Sequence, residues 1–77
     1  PRFALRPEAD MPDAWGQYEH STRTIVLRIE LNREQSRATL LHEMVHHWQS
    51  CNGHRTSHGR LFKEWTEICS ALTGLAI

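Results

Sequence analysis

Residues 40–49 read Leu40-Leu41-His42-Glu43-Met44-Val45-His46-His47-Trp48-Gln49, and both fold and chemistry are most legible there. Histidines at i and i+4 stand one turn apart on one face of an α-helix, so His42 and His46 can reach a single ion. Glu43 sits beside that face, close enough to take a proton from a metal-bound water without being a ligand itself. The flanking residues predict the helix. Asn32 is a favoured N-cap, Gln35 completes a capping-box pattern, and Glu34 suits the positive end of the helix dipole. Leu40, Leu41, Met44, Val45 and Trp48 recur at helical spacing and predict the core-facing stripe. The Asn52-Gly53 pair marks a turn and ends the helix. A helix rich in His and Glu can be merely a solvated face. The motif's place on an amphipathic helix, with further histidines downstream, favours metal binding.

Upstream, Arg23 to Leu31 reads R-T-I-V-L-R-I-E-L. Ile25, Leu27, Ile29 and Leu31 alternate with Val26, Arg28 and Glu30, the period of a strand with one buried face. Gln17 to His20 follows Gly16 as a second short strand. The polar run His20-Ser21-Thr22-Arg23 supplies the turn of a hairpin, with His20 solvated. Residues 1–15 hold all three prolines and read as an extended or irregular lead-in, with Trp15 as its anchor on the core.

Downstream, residues 53–58 form a polar loop, and a second helix runs from about Gly59 to Thr73, stopped by Gly74. Leu61, Phe62, Trp65, Ile68, Cys69 and Leu72 make its apolar stripe. Catalytic zinc usually has three protein ligands and one open position, so a third ligand is needed. The H-E-x-x-H-x-x-G-x-x-H pattern would put a glycine where Gln49 stands and a histidine where Asn52 stands, so it does not apply. The remaining candidates are His58, Glu64 or Glu67 on the second helix, and His54. His58 is preferred, then Glu64, then His54. His58 opens the second helix, Gly59 after it permits close backbone approach, and the loop is long enough to fold back over the first helix. His47 lies about 100° round the helix from His46 and reads as a neighbouring or surface residue. Trp48 and Trp65 read as packing, and Arg55 and Arg60 as solvated charges. Beyond the ion, only Tyr18 and His54 suggest themselves as oxyanion partners.

Composition bounds the answer. The chain has 77 residues, with nine basic and nine acidic side chains, so one small domain with no basic nucleic-acid footprint is expected. A domain this size has a marginal core and gains from a bound metal. Cys51 and Cys69 read as two small buried thiols rather than a disulfide scaffold. No apolar run is long enough to cross a bilayer, and the first residues show no signal-peptide pattern.

The segments 40–49 and His58-Gly59-Arg60-Leu61-Phe62 resemble the SprT-like zinc metallopeptidases, which include the Spartan proteases. The strand segment at 16–29 and Ser70-Ala71-Leu72-Thr73-Gly74 resemble that family too, so the likeness covers about residues 15–74. The resemblance implies zinc held by His42, His46 and His58, with Glu43 as the catalytic glutamate. The expected fold is α+β and zincin-like, a β-hairpin followed by the metal helix and a second packed helix. Residues 1–15 are the lead-in and residues 16–77 the SprT-like domain. The expected function is zinc-dependent peptide hydrolysis, with an extended substrate strand on the hairpin edge. The alternative is a non-catalytic zinc-stabilised module that binds a protein or nucleic acid, for which Cys51 or His54 would supply a fourth ligand. The expected partner is a protein or peptide substrate, with DNA association only through flanking segments and no membrane. A cytoplasmic or nuclear setting follows.

Overall fold

The computed structural model describes residues 1–77. In chain order it contains β1 (Arg2–Arg6), a 3-10 turn (Glu8–Asp10), β2 (Gly16–Glu19), β3 (Thr24–Arg28), α1 (Arg33–Cys51) and α2 (Arg60–Thr73). The architecture is α+β, a three-stranded sheet followed by two helices. The sheet order is β1-β3-β2, so the most apolar strand lies in the middle and β2 is a free edge. No helix is long and apolar enough to cross a membrane.

The hairpin forms as its sequence suggests. Tyr18 pairs with Ile25 and Glu19 with Thr24 across His20–Arg23, where Arg23 takes a left-handed backbone (φ 51°). The strand is shorter than the alternation implied. It ends at Arg28, and Ile29 is exposed. At that end, Arg28 Nη2 donates to the carbonyls of Met11 and Pro12, and the Arg28 N–H donates to the carbonyl of Trp15. Those bonds clamp the lead-in against the strand end. Nor is one face alone buried, since Ile25 and Val26 are both inaccessible.

The proline-rich lead-in is extended, and it also pairs. β1 runs parallel to β3 in the register Phe3 to Ile25 and Leu5 to Leu27. All three prolines, Pro1, Pro7 and Pro12, lie outside the strand, so every ladder donor survives. Met11, rather than Trp15, anchors the segment: Met11 is buried while Trp15 is 47% exposed.

The α1 capping box is present. Asn32 Oδ1 accepts from Gln35 N at 2.8 Å, and Gln35 Oε1 accepts from Asn32 N at 3.0 Å. The buried face of α1 differs from the expected one. Thr39, Glu43, His46 and Ser50 are buried, a stripe at i, i+4, i+7 and i+11, joined by Val45 and Gln49. Met44 is largely exposed, and Leu40, Leu41 and Trp48 are only half-buried. The helix turns its histidine side toward the sheet, while Leu40 and Leu41 line a shallow pocket with Thr73 and Leu75. Gly16 permits this seating, because a Cβ there would stand 2.5 Å from Thr39 Cγ2.

α2 starts at Arg60 and stops at Gly74, which takes the left-handed conformation (φ 75°) that glycine adopts without strain. Its main neighbour is α1, so only Phe62 of its apolar stripe is buried, and Trp65, Ile68 and Leu72 remain exposed. The buried apolar side chains are just Met11, Ile25, Val26, Val45 and Phe62. So small a core makes a bound metal energetically valuable.

Candidate metal centre

α1 projects His42 and His46 from adjacent turns, and the loop after it returns His58 to the same place. One ligand nitrogen from each of the three histidines lies within 4.8 Å of the others, so the cluster could hold a metal ion. His46 Nε2 and His58 Nε2 are 3.1 Å apart. Two nitrogens on one tetrahedral zinc, each at 2.0–2.1 Å, would be separated by about 3.3 Å. The pair therefore fits a shared ion with little movement.

Phe62, from the first turn of α2, is the floor of the cluster. Its ring stacks on His46 with centroids 4.7 Å apart and planes 17° apart, and it meets His42 and His58 at 4.8 and 4.7 Å. Burial holds the pKa of both His42 and His46 below the ordinary imidazole value, and repulsion between the clustered rings adds to this. Hydrogen bonds to the carbonyl of Ile77 and to Gln49 oppose the shift without reversing it. Both rings therefore stay neutral near pH 7, the form a metal needs. His42 Nδ1 lies 3.4 Å from the Ile77 carbonyl and His46 Nδ1 lies 2.9 Å from Gln49 Oε1. With Nδ1 committed to those oxygens, each ring presents Nε2 to the cluster.

Glu43 is nearly inaccessible, and its carboxylate lies 4.0 Å from His42 Nε2. Burial alone pushes its pKa up to about 7. A groove crosses the site past Gly16, His42 and Glu43. One end is apolar, between Trp15, Ala38, Ala76 and Ile77. The other is polar, with Tyr18, Thr56 and Ser57 in its walls. Tyr18 Oη lies 2.9 Å from His47 Nδ1, and Cys51 Sγ is 3.4 Å from His47 Nε2.

The other sequence candidates stay apart from the cluster. His54 stacks on Trp48 at 5.4 Å, and Glu64 accepts a bond from Arg60 Nε on the exposed face of α2. Glu67 is also exposed, and so is Cys51, which is therefore not the buried thiol expected. His20 is tied rather than solvated, with Nδ1 2.8 Å from Ser50 Oγ. Gly59 owes nothing to close approach: its backbone is extended, and a Cβ would meet only Ser57 Oγ at 3.4 Å. Three participants escaped the sequence reading. Gln49 stood out only for breaking a longer motif. The Ile77 carbonyl had no signal at all. Phe62 was one apolar residue among six, although its place four residues after His58 hints at its role.

A buried H-E-x-x-H helix, a third histidine from the following loop and a sheet edge alongside define a small α+β domain with a tri-histidine site. The profile of the SprT-like family matches residues 1–77, the whole chain, and the chain belongs to that family. Comparison with curated proteins and with solved structures gave no match.

Proposed function

We propose that this domain is a zinc metallopeptidase, with His42, His46 and His58 as ligands and Glu43 as the proton-transfer group. The observation that carries the reading is the placement of Glu43, buried within 4.0 Å of His42 Nε2 yet outside the set of three imidazoles. A purely structural site has no use for that carboxylate, and it is usually closed by a fourth protein ligand. Cys51 and His54 instead contact His47 and Trp48.

Three clustered imidazoles suit zinc, which when bound would acidify a coordinated water and polarise the scissile carbonyl. Glu43 takes the proton of the attacking water and hands it to the leaving amine. Burial raises the Glu43 pKa in the metal-free fold, and the charge of a bound zinc would oppose that shift and favour the carboxylate that accepts the proton. The β2 edge has unpaired backbone groups beside the groove and would hold an extended peptide by strand addition. An apolar substrate side chain fits the end between Trp15 and Ile77. The Tyr18 hydroxyl, held by His47, is the candidate partner for the substrate carbonyl oxygen. The substrate is thus a protein or peptide. Any DNA association would need segments outside these residues, because acidic and basic residues balance within this chain. A reducing cytoplasmic or nuclear setting fits the two unbridged cysteines.

The test is a pair of measurements on the parent and on Glu43→Gln. Both should hold about one zinc per chain, and the variant should lose ~100-fold or more in peptide cleavage. Parental turnover in Glu43→Gln would sink the mechanism.

A further inference from the structure

We infer that Gln49 is the positioning residue that assembles the tri-histidine site, by fixing the His46 ring and tying down the loop that carries His58. The inference rests on the metal-site reading above but can be decided without activity or metal.

Gln49 is 2% exposed, among the most buried side chains of the chain, although glutamine is rarely fully buried. It sits near the end of α1, three residues after His46. Its amide makes bonds in two directions. Nε2 donates to the Ser57 carbonyl at 3.2 Å, and Oε1 accepts from Ser57 N–H at 3.4 Å. Oε1 also lies 2.9 Å from His46 Nδ1. The amide therefore grips both backbone groups of Ser57, the residue directly before His58.

Little else holds that loop. Residues 55–58 make no backbone–backbone hydrogen bond, and every residue from 51 to 60 is exposed. The loop leaves α1 through two further contacts of the same residue, whose carbonyl accepts from Asn52 N–H at 3.3 Å and from His54 N–H at 2.8 Å. Without the Gln49 side chain, only the ring contacts of His54 with Trp48 and of His58 with Phe62 would restrain the loop between α1 and α2. Ordering it on metal binding would then cost conformational entropy of about 1–2 kcal/mol for each residue fixed.

The bonds also dictate a tautomer. Ser57 N–H must face an oxygen and Ser57 C=O must face an NH2, so the amide cannot be flipped without two donor–donor or acceptor–acceptor contacts. Oε1 is then the atom against His46, and His46 must carry its proton on Nδ1. Its Nε2 lone pair faces His58 Nε2 at 3.1 Å. One side chain thus sets the reactive nitrogen of one ligand and the location of another.

The first measurement is on the metal-free parent. Nitrogen NMR of the imidazoles should show neutral His46 as the Nδ1–H tautomer, and amide exchange should show protection at Ser57. An Nε2–H tautomer at His46, or free exchange at Ser57, would overturn the inference without any variant. Gln49→Met and Gln49→Glu extend the test. The methionine variant removes every bond, so Ser57 protection should vanish, the His46 tautomers should mix, and zinc affinity should fall ~10- to 100-fold. The glutamate variant can still accept from His46 Nδ1 but gives Ser57 C=O no donor. It should keep the tautomer and lose part of the carbonyl-side anchoring, and its cobalt spectrum should stay closer to the parent's than the methionine variant's does. Parental exchange, tautomer and zinc affinity in Gln49→Met would refute the role. A parent that shows the tautomer and protection but takes up no zinc would sink the peptidase reading alone.

Discussion

Phe62 lies flat against His46, with centroids 4.7 Å apart and planes 17° apart, so the only buried apolar residue of α2 is also the floor of the metal site. Core packing and ligand placement are therefore one set of contacts. Phe62→Ala should destabilise the metal-free protein by roughly 3 kcal/mol and also weaken zinc binding, whereas Phe62→Leu should cost clearly less on both counts. Denaturant unfolding and a competitive zinc titration check this. Loss of stability with unchanged zinc affinity would mean that the ring does not support the imidazoles.

Gly16 is the contact point between the sheet edge and α1. A Cβ there would meet Thr39 Cγ2 at 2.5 Å, the Val26 carbonyl at 3.2 Å and Glu43 Cγ at 3.3 Å. Thr39 is β-branched and stiff in a helix, so it cannot swing away cheaply. Gly16→Ala should cost about 1–3 kcal/mol. Adding Thr39→Ala, which removes the methyl in the way, should recover part of the loss. Strict additivity in that double-mutant cycle would show that the two do not clash.

Glu43 gives the metal-free protein a distinctive pH dependence. Its carboxyl titrates at about 7 in the fold against 4.5 in the unfolded chain. Between those values the native state holds the extra proton, so this contribution to stability falls as pH rises. His42 and His46, whose folded pKa values are lowered, act oppositely: their contribution grows as pH rises toward 6.5. Substituting Glu43→Gln removes the first effect and leaves the second. The variant should match the parent near pH 4.5 and exceed it by up to about 3 kcal/mol at pH 8. Thermal melts in chelator at both pH values measure the gap. A gap that narrows as pH rises would contradict the burial argument.

Alanine variants of His58, His54 and Glu64 identify the third ligand. His58→Ala should lose most zinc affinity, and with it the thermal stabilisation that zinc gives the parent, about 2.7 kcal/mol at a hundredfold excess over Kd. His54→Ala should lose only its stack on Trp48, and Glu64→Ala only an exposed ion pair. Equal zinc affinity in His58→Ala and the parent would move the site elsewhere.

Short-range rules made much of this molecule legible from its residues. The i, i+4 histidines, the Asn32–Gln35 capping box, the four-residue hairpin turn and the Gly74 stop each depend on neighbours within a turn or two. Local sterics and hydrogen bonding decide such features wherever the segment lies in space. What periodicity misjudged was the direction in which amphipathic segments face. Leu40, Leu41 and Met44 mark an apolar side of α1, yet the sheet took the side of Thr39, Glu43 and His46, because Gly16 leaves room for it there. Choices of that kind depend on the shapes of surfaces distant in sequence. The pairing of β1 with β3, the Phe62 floor and the grip of Gln49 on Ser57 belong to the same class. The sequence by itself determined which residues could bind a metal. Only the tertiary structure decided which of them meet, since a third ligand is defined by loop closure and packing rather than by helical spacing.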